Sequence, residues 1–175
     1  MRRILDGLYI ISGALSAFFI LAICSVVALQ VIFNIITRLR ITEATPTIPS
    51  YADISGFLLA AASFMALAYT LTRGGHIRVT LLFTIAGEKF RFAADLFCLA
   101  LCGIISGLAT WYVTLQLLES YEFGDLSPGI LAIPIWIGQT PLAVGLAILT
   151  IAFADLFIQT LMHGKPLPEL HTSAE

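Results

Sequence analysis

Apolar positions in this chain do not alternate with polar ones. They run unbroken for many helical turns, and the charged residues are gathered between the runs. Residues 7–37, 54–72, 96–118 and 126–154 contain no Asp, Glu, Lys or Arg. A helix rises about 1.5 Å per residue and the hydrocarbon layer is about 30 Å thick, so each run can cross a membrane once and none can cross twice. The pattern predicts an all-α integral membrane domain over residues 1–175, with four transmembrane helices at about 8–36, 54–72, 96–118 and 141–162. The first run would be about 46 Å long as one helix, so it is expected to tilt or to project beyond the headgroups.

Two connections carry signals of their own. Residues 79–87 are too short to span and too apolar to be solvated, and they lie between Arg78 and the run Glu88, Lys89, Phe90, Arg91, Phe92. Residues 77–92 therefore suit a short interfacial helix in the headgroup region, and an extension of the neighbouring helices accounts for them equally well. In the last apolar run, Ser127-Pro128 and Thr140-Pro141 each read as an N-cap followed by proline at the first helical position. The expectation is an outer interfacial segment over 128–139, anchored by Trp136, and then the last spanning helix.

Composition agrees with a membrane solvent. The chain is 59% apolar and 11% charged, with a mean hydropathy of +0.97, against roughly 25% charged residues in an ordinary soluble domain. A net charge of −2 without a basic stripe argues against nucleic acid as a partner. Arg2 and Arg3 precede an apolar run, but signal-peptide cores span about 7–15 residues, so an uncleaved first helix is expected. Cys24, Cys98 and Cys102 all fall inside apolar runs, where packing is the expected role rather than disulfide or metal chemistry. Placing both termini in the cytoplasm puts seven of the nine Lys and Arg inside, as the positive-inside rule favours. The loop with Glu119, Glu122 and Asp125 then faces outward without a compensating base.

Membrane-embedded chemistry normally needs ionisable groups at depth, and the spans are expected to contain none. Gln30, Asn34, Ser106, Thr110, Thr114 and Gln116 suit hydrogen bonds between helices. His76, His163 and His171 are not placed to pair as haem ligands. Nucleophile, zinc-protease and phosphate-loop motifs are absent from the sequence, so neither an enzyme, a cofactor nor a metal site is predicted. An independent four-helix transporter would need a carboxylate in a span, and a membrane-anchor subunit of a respiratory enzyme would need histidines there. Gly103 and Gly107 form a G-x-x-x-G pair, while Gly56, Ala60 and Ala66 give the second helix a small-residue face. Such faces let helices approach closely, whether within the four-helix unit or against a partner.

Several segments together resemble a known family. Residues 51–57 (YADISGF), residues 68–79 (AYTLTRGGHIRV) and residues 124–136 (GDLSPGILAIPIW) are similar to the small membrane subunit, the DctQ-like subunit, of tripartite ATP-independent periplasmic (TRAP) transporters. The stretch with Arg73, His76 and Arg78 is the most specific part. Asp53 stands where the family often has Glu, Thr80 where it often has Asp, and Gly138 where proline is frequent. The resemblance implies a bacterial inner-membrane subunit that pairs with a large DctM-like transport subunit, which carries the substrate and sodium sites and moves as an elevator. It also implies a periplasmic substrate-binding protein that delivers an organic acid. In such a complex this chain is a non-catalytic scaffold in the lipid bilayer, and Arg40, Glu43, Glu119, Glu122 and Asp125 are candidates for docking the binding protein.

Overall fold

A computed structural model describes residues 2–39, 47–73 and 88–163. Four helices account for nearly all of them: α1 (Arg2–Arg38), α2 (Tyr51–Thr72), α3 (Glu88–Phe123) and α4 (Ile135–His163). Each is long and apolar enough to cross a membrane. The structure has the four long apolar helices, and the all-helical class, expected from the charge-free runs.

Side-chain contacts fix how the helices lie beside one another. Ser12 and Ser16 on α1 donate their hydroxyls to the carbonyls of Met65 and Ala62 on α2, so the partner number falls as the α1 number rises and the pair is antiparallel. A Cβ built on Gly138 would meet Phe57, and one on Gly145 would meet the backbone of Phe64 and Met65. Both numbers rise together there, and α2 and α4 run parallel. Gly103 faces Phe153, Gly107 faces Thr150, and Tyr121 meets Trp136, so α3 and α4 are antiparallel.

The helices form a row in the order α1, α2, α4, α3. α1 packs on α2, α2 on α4 and α4 on α3, while α1 touches α4 only marginally and α3 has no extensive contact with α1 or α2. Burial follows that order. In the most apolar windows of α2 and α4, 22% and 28% of residues are buried within the chain, against 6% and 11% for α1 and α3, which makes α2 and α4 the inner pair. The row bends at the end that holds the termini, where Tyr9 of α1 joins Met65, Ala68, Ile148 and Ala152 in the core cluster.

Helix ends depart from the sequence expectation in three places. α3 starts at Glu88 rather than near residue 96, so residues 88–92 belong to it. For that part of the expected interfacial segment 77–92, extension of a spanning helix is the observed outcome, and residues 77–87 lie outside the described residues. α3 also runs on to Phe123, because Gly124 (φ 67°) supplies the left-handed position past the helix end and Asp125 N–H reaches back to the Ser120 carbonyl, a Schellman closure. The last helix does not begin at Pro141. It begins at Ile135 and carries Pro141 inside it. A proline there removes one backbone donor in the second turn, but the turn before it is held by packing: Trp136 stacks edge-on against Tyr121 at 5.6 Å, and Gly138 sits under Phe57.

The expected outer segment 128–139 is correspondingly replaced by two pieces. Residues 135–139 are the first turn of α4. Residues 125–135 close a small hairpin, in which Ser127 N–H bonds the Ile133 carbonyl at 2.8 Å and Ile135 N–H bonds the Asp125 carbonyl at 3.0 Å. Cys24, Cys98 and Cys102 are free and exposed on the bundle surface, not packed between helices as expected, because each falls on a helix face that meets no neighbour within the chain.

Candidate functional site

The end of the bundle away from the termini holds the only built connection among the described residues. Ser50, with φ 54° in the left-handed region, precedes α2. Its hydroxyl caps no α2 amide and instead accepts the Leu131 N–H at 2.8 Å. Left-handed backbone at a non-glycine residue costs roughly 1–2 kcal/mol, which this tie from hairpin to helix helps to offset. Gly129 lies so close to Asp53 and Ser50 that a Cβ there would collide with both side chains. Asp53 also favours the α2 start by placing a carboxylate in its first turn. Beside this junction is an open cleft of about 330 Å³, lined by Asp53, Gly56, Phe57, Ser127, Pro128 and Ile135 among others. The connection from α1 is tied by Gln30, which is 6% exposed: its carbonyl accepts the Ile48 N–H at 3.0 Å and its amide donates to Asn34.

Glu119, Glu122 and Asp125 are all exposed at this end. The Schellman closure of α3 groups them around one helix terminus. The hairpin beside them presents Ile130, 90% exposed, at its tip. Arg40 and Glu43 lie outside the described residues. Trp136 is half-buried against Tyr121, so its ring is held by protein on one side.

At the opposite end, Arg73 follows the last turn of α2. Its N–H bonds the Tyr69 carbonyl at 3.1 Å, and its guanidinium stands 5.5 Å from the centre of the Tyr69 ring, a cation–π geometry. His76 and Arg78 lie outside the described residues. Asp155 is within α4, half-buried, accepting the Gln159 amide at 2.8 Å, so the spans are not free of ionisable groups. The charge-free run ends at Ala154 while the helix continues for about two further turns, and Asp155 sits in that continuation. Asp95 occupies the corresponding stretch of α3, with Oδ2 buried and unbonded among the described residues.

The small residues singled out from sequence divide into two groups. Gly103 and Gly107 face α4 of the same chain, where an added Cβ would stand at ordinary van der Waals distances of 3.5 Å from Phe153 and 3.8 Å from Thr150. Ala60 and Ala66 are half-buried, and Gly56 is exposed with nothing near a Cβ. The closest helix approaches lie elsewhere, at Gly13 against Tyr69 and at Gly138 and Gly145 against α2. Spacing could have shown the second seam, since Gly138, Gly145 and Ala152 recur every seven residues along one stripe of α4. The polar residues of α3 behave as interhelical ties: Ser106 and Thr110 both reach the Thr150 hydroxyl, at 2.9 and 3.1 Å. Thr114 turns back to its own helix at the Thr110 carbonyl, and Gln116 is exposed.

Every charged residue of the four helices lies within nine residues of a helix end. The helix middles offer apolar faces, hydroxyls, three thiols and the Trp111 indole, and no charge. No curated protein and no solved structure matches the chain. A family model described as "Tripartite ATP-independent periplasmic transporters, DctQ component" matches residues 23–162, from the middle of α1 almost to the end of α4. The chain belongs to this family and is the small membrane component of a TRAP transporter.

Proposed function

We propose that this subunit is a non-catalytic scaffold of a sodium-driven, binding-protein-dependent transporter for an organic acid. It braces a large DctM-like transport subunit in the bacterial inner membrane and helps receive the periplasmic binding protein. Both termini face the cytoplasm, in keeping with the seven-to-two distribution of Lys and Arg. The observation that carries the reading is the row itself. Helices in a row enclose no interior in which to move an anion, and they leave wide apolar faces: Phe18, Leu21, Phe97, Ile104 and Leu108 are all more than half exposed within the chain. Gly56, Ala60 and Ala66 on α2 are where the large subunit can approach most closely, since Gly103 and Gly107 are taken up by α4 of the same chain.

The test is reconstitution. Vesicles containing this chain alone take up no organic anion under a sodium gradient, whereas the chain co-purified with its large subunit, given binding protein, supports uptake. Sodium-driven uptake by this chain in isolation would refute the scaffold reading.

Docking is assigned to the exposed carboxylates Glu119, Glu122 and Asp125, with Arg40 and Glu43 of the other outward loop. Charged rims steer transient encounters mainly through the association rate, and their reach is about 8 Å at physiological salt. Changing Glu119, Glu122 and Asp125 together to Lys is expected to reduce uptake several-fold at limiting binding protein and low ionic strength. Assembly with the large subunit stays intact, and the defect fades as salt rises. Wild-type uptake across a titration of binding protein would remove this loop from the docking surface.

A further inference from the structure

We propose that the row lies inclined in the bilayer by about 30°, within the plane of the row, with α1 displaced toward the face of the termini and α3 toward the outward-loop face. The inference rests on the four helices crossing the membrane, and it goes beyond the scaffold role, which does not require any particular inclination.

The first support is axial stagger. Gln30 is level with Ile48, so α1 continues about eleven residues, or about 16 Å, past the start of α2. At the other end the offset reverses. Gly145 is level with Phe64, which sets Thr72 beside residue 153 and leaves α4 running on about ten residues, or about 15 Å, past the end of α2. Gly103 is level with Phe153, so α3 begins about five residues further still in the same direction. Each end of the row is therefore cut obliquely, and the two cuts slope the same way.

The second support comes from where charge begins on each helix. Projected onto α2, the charged rim at the outward-loop end falls thirteen residues before Asp53 on α1 (Arg38), at Asp53 itself on α2, and about three residues beyond it on α3 (Glu119). At the termini end, Asp6 of α1 and Arg73 of α2 lie at nearly one level, and Asp95 of α3 lies about seven residues farther out in the direction of the termini. Averaged over the two rims, the shift across the row is about 18 Å. Three interaxial spacings of 8–10 Å, shortened slightly by the bend, make the row about 25 Å wide. That slope corresponds to roughly 30–35°, inside the 0–40° range of transmembrane tilts. The uncharged stretch of α3 from Asp95 to Glu119 is about 36 Å long, which matches a 30 Å core crossed at this angle.

An upright row would set Val31, Ile32 and Ile35 of α1, each about half exposed, in water beyond the start of α2. It would do the same to Phe97 of α3, 68% exposed, past the end of α2. Inclination brings both sets toward lipid together.

Two residue pairs test this because each pair shares one axial level on opposite edges of the row. Leu21 of α1 is level with Leu118 of α3, and Ile10 of α1 with Leu108 of α3; all four are exposed within the chain. Nitroxide labels are placed singly at these positions in the full chain, with Cys24, Cys98 and Cys102 changed to Ser. Immersion depth is then read in phosphatidylethanolamine–phosphatidylglycerol nanodiscs from oxygen and nickel-chelate accessibility. The inclined row predicts a difference of about 12 Å within each pair, of fixed sign. Leu21 lies deeper from the outward face than Leu118, and Ile10 lies nearer the termini face than Leu108. Equal depths within each pair, or the opposite sign, overturn the inclination. A double-label distance of about 25 Å between positions 21 and 118 confirms that the row is folded in the same sample, so loss of structure is not mistaken for an upright bundle.

Discussion

Gly145→Leu abolishes folded protein, and Gly145→Ala already lowers the thermal midpoint. The Cβ of even an alanine would lie 2.7 Å from the carbonyl carbon and oxygen of Phe64 and 3.0 Å from the amide nitrogen of Met65. These are backbone atoms of the neighbouring helix and cannot rotate aside, so α2 and α4 must separate. Over-packing a filled contact typically costs about 1–3 kcal/mol. Here it falls on the seam that joins the two inner helices, and no other described contact of comparable extent holds α3 and α4 to the rest. Gly56→Ala is the matched control, since nothing lies within 4 Å of its Cβ, and a helical Gly→Ala change is stabilising by about 1 kcal/mol. Thermal unfolding in detergent, followed by size-exclusion fluorescence, reads both. If Gly145→Ala unfolds at the wild-type temperature, the parallel α2–α4 contact is loose enough to admit a methyl group.

Ser12→Leu combined with Ser16→Leu detaches one helix and leaves three together. Ser12 is 1% exposed and Ser16 4%, and both hydroxyls bond carbonyls of α2. Each such bond between membrane helices averages about 0.6 kcal/mol. The larger effect is steric, because a leucine at either position has no space against the α2 backbone, and each is expected to destabilise by about 1–3 kcal/mol. In a closed bundle such damage would propagate. In this row α1 packs extensively on α2 alone, so an α1–α2 spin-label distance broadens while an α3–α4 distance keeps its wild-type width. Simultaneous broadening of both would show that the row unfolds as one cooperative unit.

Much of the architecture was legible because charge placement in a membrane protein is a direct report of the solvent boundary. Four uncharged runs became four helices, with no tertiary information needed. Helix ends were less legible where protein continues past the lipid. Asp155 and Asp95 bound the uncharged runs without ending the helices, since each stands on a helix flanked by its neighbour beyond the boundary. Pro141 misled for a different reason. Thr140-Pro141 has the chemistry of a helix start, but Trp136 against Tyr121 and Gly138 under Phe57 hold an extra turn ahead of it, and both of those contacts join residues remote in sequence. Gly124 was readable as a helix stop and marks the end of α3 more accurately than the preceding Glu119.

The candidate site was legible only in part. Glu119, Glu122 and Asp125 could be seen as an unbalanced acidic loop, and they are exposed together. The tie from Ser50 to Leu131 could not be foreseen, since it spans 81 positions and uses a left-handed serine. Gly103 and Gly107 drew notice by their four-residue spacing, yet the tighter glycines of α4 repeat every seven. A parallel pair of helices that keeps one register over several turns favours the seven-residue repeat.

That parallel pairing has a consequence for how the chain is made. α1 and α2 are consecutive and antiparallel, so they can pair as soon as residue 72 has entered the membrane, and α3 and α4 can likewise pair on their own. The α2 surface around Phe57 and Phe64 has no such nearby partner. It faces lipid until α4 has been synthesised about 90 residues later, an interval of roughly 5–20 s at ordinary elongation rates. During that time the half-made protein is a two-helix hairpin with an open flank, and whatever the nascent membrane offers, including a second nascent copy, competes for it. Gly138 and Gly145 must therefore arrive at a surface that has stayed vacant, which places the riskiest moment of biogenesis at the closing of the α2–α4 seam.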